Sequence, residues 1–398
     1  MPNIISYVLK HKNIDVAQFS IDKTSWSAGN IVIIDTTFSP VNTEAGNDQI
    51  ILTFNNWLNN RCIPDSRDGI ERLKAVYKIT DLKELMLAGY GLSLSDHYWI
   101  CNESCNIKWE DINYFDNRYS ENMGKIFFDK NFRKLNDDIN SPDSSLNGTL
   151  RKRWECNIDN YLLKGGSGIY KQEPFNEVYA SMLLDELKID HVQYKLRISE
   201  GEYVSSCPCI IDKDTEIITA MDIVRKYGIK KNYREYADIC LKNGLSAIED
   251  ELKKMIITDY IIRNTDRHWN NFGIIRNSDT GAWFKPIPLF DNGCSLWNNE
   301  KVDVNVPSHS SSFCETNEEN LKIVNFSEYI KAENIKKMSE IFSEAFKDFE
   351  DENRKEELRK GVQEKEEIML KLMDESHFTT SIAFSSAFSS SSGGGSLI

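Results

Sequence analysis

The sequence predicts an α+β protein in which a small β-rich lobe precedes a mostly helical lobe, with an extra α/β sub-domain in front of both. Three observations carry this expectation. At 398 residues the chain exceeds what one hydrophobic core organises. Strand-like patterning is concentrated in the first 60 residues and again between Trp154 and Ile211, whereas helical periodicity dominates after Ala220. A turn-rich break, Asn136 to Asn147 (NDDINSPDSSLN), separates the first third from the rest. The predicted units are residues 1–135, 136–212 and 213–375, then a Ser/Gly-rich tail at 376–398 whose composition marks it as disordered.

In the first unit, Ile4-Ile5, Tyr7-Val8, Val16 with Phe19, and Ile31 to Ile34 fall at strand spacing. Ile51, Leu52, Trp57 and Leu58 then recur at helical spacing, and Asp68 and Asp81 stand where the N-caps of two further helices belong. The aromatic and Asn/Asp-rich stretch Tyr98 to Phe127 reads as surface-packed loops covering another domain. In the second unit, a strand ending Tyr161-Leu162-Leu163 delivers Lys164. A helix from Pro174 to Leu187 follows, with Phe175, Val178, Tyr179, Met182 and Leu183 on one face and a first-turn proline. Val192, Tyr194, Leu196 and Ile198 alternate as in a strand, and Tyr203 to Ile211 is strand-like too. The third unit is helical from Ala220 to Arg263, interrupted over Asn264 to Ser295, and helical again over Phe326–Phe349 and Glu352–Asp374.

With 62 acidic against 48 basic residues, the formal net charge is -14. That balance disfavours direct nucleic-acid binding and attraction to anionic lipid. Arg151-Lys152-Arg153 is one candidate for a local basic patch. Nine cysteines, an odd number, read as free thiols in a reducing compartment. Cys101/Cys105 and Cys207/Cys209 lie close together but have no second pair at zinc spacing. No apolar run approaches the roughly 20 residues of a membrane span, and the N-terminal segment lacks a cleavable apolar core. A cytoplasmic location without membrane partners is expected.

The densest polar chemistry lies in Asn264-Thr265-Asp266-Arg267-His268-Trp269-Asn270-Asn271. An apolar stretch, a turn at Arg276 to Gly281 and a returning stretch at Ala282 to Lys285 predict a hairpin, after which Pro286 to Phe290 leads to Asp291-Asn292-Gly293. Phosphoryl transfer needs this set of groups together: an Asp for the acceptor hydroxyl, an Asn five positions on, and a second Asp beyond a hairpin to hold magnesium. Hard oxygen ligands without a Cys/His set suit that metal. Taken alone, Asp, Asn and Arg in a loop more often solvate a turn. The hairpin and Asp291 in the expected order weigh against that plain reading.

NTDRHWNNFGII followed by a hairpin and PLFDNG resembles the catalytic core of HipA-like kinases, including the HipA toxins of bacterial toxin–antitoxin pairs. The resemblance covers roughly residues 140–375 and implies a bilobal protein-kinase-like fold. By it, Asp266 is the catalytic residue, Asn271 and Asp291 hold Mg2+, and His268 occupies the motif's histidine position. Phe290-Asp291-Asn292-Gly293 departs from the commonest family pattern. Ser145-Leu146-Asn147-Gly148-Thr149-Leu150-Arg151-Lys152 resembles the family's phosphate loop, which implies ATP contacts from Ser145, Gly148 and Lys152. Lys164 would orient the phosphates and pair with Glu177, while Cys207 and Cys209 would neighbour the nucleotide. The Gly165-Gly166-Ser167-Gly168 stretch leaves open which glycines touch ATP. Ser145, with Ser144 beside it, falls at the position where the family autophosphorylates. Residues 1 to about 130 show no recognisable version of the HipA toxins' short N-terminal domain.

The resemblance implies a Ser/Thr protein kinase acting on a protein substrate, with an antitoxin or DNA-binding protein as a further partner. Two other functions fit parts of the sequence: a pseudokinase or nucleotide-binding module, and a lipid or small-molecule kinase, since phosphatidylinositol-kinase-like folds carry a similar D-R-H-x-x-N loop.

Overall fold

The computed structural model describes residues 4–129, 131–132, 139–156 and 159–389, with side chains described through Asp374. The first sheet starts as a meander. β1 (Ile4–His11) turns through Lys12 and Asn13 into β2 (Ile14–Asp22), which pairs in turn with β3 (Ser27–Ile33). Helices α1 (Asn47–Asn60), α2 (Ile70–Tyr77) and α3 (Leu82–Ala88) follow, and their apolar faces pack with Leu9, Phe19 and Ile21 in one core. Asp81 caps α3 through the Lys83 amide as predicted, but α2 has no side-chain cap and starts behind Gly69 rather than Asp68.

Tyr98 to Phe127 is a correction. The stretch contains β4 (Tyr98–Asn102), which pairs antiparallel with β1 and completes the order β3-β2-β1-β4, and most of α4 (Asn122–Phe128). Tyr98 and Ile100 enter the core beneath the helices, while Trp99 and Cys101 enter a second apolar cluster with Trp109, Tyr114 and Trp154. A strand buried on both faces has no polar alternation to announce it.

The predicted break at Asn136 to Asn147 lies partly outside the described residues; its later part forms a short 3-10 turn, Pro142–Ser145. Next come β5 (Lys152–Cys156), β6 (Asn160–Gly165), α5 (Glu173–Leu187), β7 (Lys195–Ser199) and β8 (Glu202–Pro208), with the strands in the order β5-β6-β8-β7. Leu163 of β6 and Val204 of β8 join the first sub-domain's core, so the two sheets share apolar packing. Val192 and Tyr194 precede β7 instead of continuing it, yet both are buried.

A third sheet stands at the start of the helical region. β9 (Thr215–Thr219), absent from the sequence expectation, is followed by α6 (Ala220–Tyr227), α7 (Tyr233–Lys242) and α8 (Ile248–Ile262). The expected hairpin is β10 (Gly273–Asn277) and β11 (Trp283–Pro286), giving the order β11-β10-β9. Then come α9 (Asn317–Leu321), α10 (Ala332–Ile335), α11 (Met338–Ala345) and α12 (Glu352–Ser389). The Phe326–Phe349 helix is thus broken into short pieces. α12 runs on through much of the segment predicted to be a disordered tail, and 390–398 lies outside the described residues. The faces of α5, α8, α11 and α12 form the largest core, which includes Phe175, Tyr179, Ile257, Phe342 and Leu358. This is an α+β, bilobal, kinase-like architecture with an α/β sub-domain before it.

Candidate active site

Register places two lysines side by side. In the β5–β6 pair Lys152 lies opposite Lys164, and opposed residues of an antiparallel pair share a face. Both line a cavity of about 740 Å3 between the lobes. Their repulsion is offset by carboxylates from two other segments. Lys164 Nζ lies 2.8 Å from Glu177 of α5 and 2.7 Å from Asp291 beyond β11, and it donates to the Tyr194 hydroxyl at 3.1 Å. The second Glu177 oxygen accepts from the Asn292 amide at 2.8 Å, so this helix glutamate also fixes the acidic turn. Asp291 sits in the left-handed region at φ 59, which an Asp side chain tolerates better than a bulky one.

The ionisation of the group follows from burial and charge. Burial alone would raise the Asp291 carboxyl, but Lys164 and Lys152 outweigh it and hold the group well below the ordinary carboxylate range. Burial opposes the charge on Lys164, yet Asp291 and Glu177 push its ammonium well above the usual value. Glu177 is raised, by burial first and against the pull of Lys164. Lys152 has no carboxylate within ion-pair distance among the described residues, and burial lowers it.

The polar loop is organised from below. α8 ends at Ile262, Arg263 caps it in the left-handed region at φ 57, and the polar loop follows. Arg267 is fully buried. Its Nε and Nη2 donate to Asp259 of α8 at 3.0–3.2 Å. Nη1 donates to the carbonyls of Asn271, at 3.1 Å, and Phe290, and Nη2 donates to the Asn292 side chain. One side chain therefore links helix, polar loop and acidic turn. Asn271 lines the cavity; its Nδ2 donates to the Asp266 carbonyl at 2.8 Å, and its side-chain oxygen has no protein partner among the described residues. Burial raises the Asp266 carboxyl; Asp291 adds to this, while His268, Arg267 and Lys152 oppose it.

The cavity brings together Ser145, Gly148, Lys152, Lys164, Cys207, Cys209, Asp266, His268, Asn271 and Asp291. Glu177 lies behind Lys164. Ser144 is buried outside the lining, its hydroxyl bonded to the Ser141 carbonyl at 2.9 Å; the Ser145 hydroxyl donates to the Leu92 carbonyl. The competing glycines separate clearly. Gly148 lines the cavity at φ 103, and a Cβ there would stand 2.3 Å from Lys152 Nζ. Gly165, Gly166 and Gly168 are not among the lining residues. Arg151-Lys152-Arg153 is not an exposed basic patch, because Arg151 pairs with Glu202 at 2.7 Å, Arg153 is buried beside Glu155, and Lys152 faces the cavity.

Sequence reasoning missed Tyr194, Arg267 and Arg67. Arg267 lay inside the motif, and a charged residue flanked by predicted active-site groups was its only signal. Tyr194 read as one more alternating strand residue.

Among solved structures, HipA of Shewanella oneidensis MR-1, determined with HipB and its operator DNA, matches with a TM-score of 0.56 and 12% identity over 93% of this chain and 99% of that one. The chain has a HipA-like fold. The Helicobacter pylori proinflammatory kinase CtkA matches with a TM-score of 0.46 and 18% identity over 59% of this chain and 95% of that chain. No protein-family profile and no curated protein matches at the level of sequence. Because the HipA match spans 93% of this chain, it takes in most of the α/β sub-domain that the sequence left without a counterpart.

Proposed function

We propose that the chain is an ATP-dependent serine/threonine protein kinase. The observation that carries the reading is the double ion pair of Lys164 with Glu177 and Asp291, in the same cavity as Asp266 and Asn271. In this reading Lys152, Lys164 and the loop at Gly148 grip the nucleotide phosphates, with Ser145 and His268 beside them. Cys207 and Cys209 flank the nucleotide. Asp266 aligns the acceptor hydroxyl and takes its proton, a task favoured by its raised basicity. Holding acceptor and phosphate in line supplies much of the rate.

Magnesium fits the groups present. The Asn271 side-chain oxygen and the second Asp291 oxygen have no protein partner among the described residues and face one cavity. Among the described residues no group of three or more His, Cys, Asp or Glu is arranged to hold a metal, whereas magnesium needs only one or two protein oxygens besides phosphate and water. When bound, it would neutralise charge on the phosphates.

Autophosphorylation at Ser145 or Ser144 belongs to the same reading. Both hydroxyls are buried on backbone carbonyls, so either reaction requires the loop to leave its seat. The neighbour's assembly with HipB and operator DNA supports, by analogy of fold alone, a DNA-binding or antitoxin partner.

The test is incubation with labelled ATP and magnesium, comparing the wild type with Asp266→Ala and Asp291→Ala. Label on serine or threonine of protein, lost in both variants, is expected. ATP binding without transfer would make the chain a pseudokinase, and transfer only to lipid would replace the protein acceptor.

A further inference from the structure

The phosphate-loop candidate is held from outside both lobes. Arg67 lies in the turn between α1 and α2 of the N-terminal sub-domain, where its amide bonds the Pro64 carbonyl at 3.1 Å. Its side chain is buried, with 1% exposed, and stacks over the Phe127 ring at 5.3 Å. No carboxylate lies within ion-pair distance of it among the described residues. Instead Nε and Nη2 donate to the Gly148 carbonyl at 2.9 and 2.7 Å, and Nη2 also donates to the Leu146 carbonyl at 2.5 Å. A buried guanidinium spent on two carbonyls of one loop is costly to keep unless the loop's conformation matters.

Peptide geometry says what that conformation does. In a planar trans peptide the carbonyl and the following N–H point in opposite directions. Fixing the Leu146 and Gly148 carbonyls on Arg67 therefore turns the amides of Asn147 and Thr149 away from it, and both of these residues line the cavity. Neither amide has a hydrogen-bond partner among the described residues, whereas the intervening Gly148 amide is capped by the Asn147 side chain at 2.6 Å. Two free N–H groups beside Lys152 form the kind of concave donor set that receives anionic oxygens.

We infer that Arg67 is a positioning residue that aims the Asn147 and Thr149 amides at the nucleotide phosphates, making the N-terminal sub-domain part of the nucleotide site. The inference rests on the nucleotide reading above. Its planar fork reaches both carbonyls at once, which a lysine ammonium cannot match in geometry.

The experiment measures affinities for ATP and for adenosine with the full chain, as wild type, Arg67→Met and Arg67→Lys. The wild type should prefer ATP. Arg67→Met should weaken ATP about tenfold while leaving adenosine unchanged, the scale of one or two hydrogen bonds. Arg67→Lys keeps the charge and guards against misfolding, and it should show the same selective loss at smaller size. Equal affinities for ATP and adenosine in the wild type would sink the phosphate site, and Arg67 with it. A wild-type preference for ATP that survives in both variants would overturn the role of Arg67 alone. Parallel loss of both ligands would mark a merely structural arginine and overturn it too.

Discussion

Asp266 faces two opposed influences that a pH profile can separate. Burial and the neighbouring Asp291 raise its carboxyl above the ordinary Asp value, about 3.9, while His268, Arg267 and Lys152 pull it back. A base works only when ionised, so kcat should fall on the acid side through an apparent pKa above that ordinary value. Replacing His268 by Gln removes a group that favours the carboxylate and should move this limb to higher pH. A limb at or below the ordinary Asp value, or one unmoved in the variant, would count against Asp266 as the base. Asp266→Asn should cost about 10^2- to 10^4-fold in kcat, the usual range for a lost general base. Measuring kcat from about pH 3.5 to about pH 9 in the wild type and in His268→Gln decides the matter.

At the scale of elements, Arg267 joins α8, the polar loop and the turn after β11. Arg267→Met leaves Asp259 buried without its partner, so a loss of about 3–5 kcal/mol is expected in denaturant unfolding. Asp259→Leu with Arg267→Met should recover much of that stability, since removing both charges spares the uncompensated one. Activity should stay low in the double variant, because the contacts that fix Asp266 relative to Asp291 are still missing. Equal recovery of stability and activity would reduce the pair to scaffolding. The same elements show what a sequence makes legible. The β10–β11 hairpin and α5 stood out because turn residues and a one-faced apolar stripe mark them locally. β4 was hidden because Tyr98, Trp99, Ile100 and Cys101 are all buried, and β9 because Thr215–Thr219 runs directly into α6. The groups around Asp266 were readable as a contiguous motif. Arg67 was not, since it meets Gly148 from 81 positions away and no periodicity records such a contact.

Across the whole molecule, the N-terminal sheet meets the β9–β10 sheet through a charged seam. Glu216 of β9 accepts from Arg276 of β10 at 2.6 Å and lies 2.8 Å from the His11 ring of β1, while Arg276 also donates to the Tyr98 hydroxyl of β4 at 2.9 Å. All four side chains are buried. Burial alone would raise the Glu216 carboxyl, but Arg276 and His11 outweigh it and hold the group well below its ordinary range. A carboxyl depressed in the folded state stabilises the fold above its unfolded value, about 4.3, and that stability is lost as pH falls towards the folded value. Glu216→Gln removes the charge while nearly keeping the shape, leaving Arg276 buried without its counter-ion. At pH 7 the variant should be less stable by about 3–5 kcal/mol. From about pH 4 downward the wild type progressively loses this contribution, so the gap between the two denaturation curves should narrow. A gap that is constant between pH 7 and pH 3.5 would mean that packing, rather than ionisation, holds the seam. Because this seam and the Arg67 contact both tie the N-terminal sub-domain down, loosening the seam should also weaken ATP more than adenosine. The same pair of ligands, measured on Glu216→Gln at pH 7, tests whether the sub-domain reaches the nucleotide site as a unit.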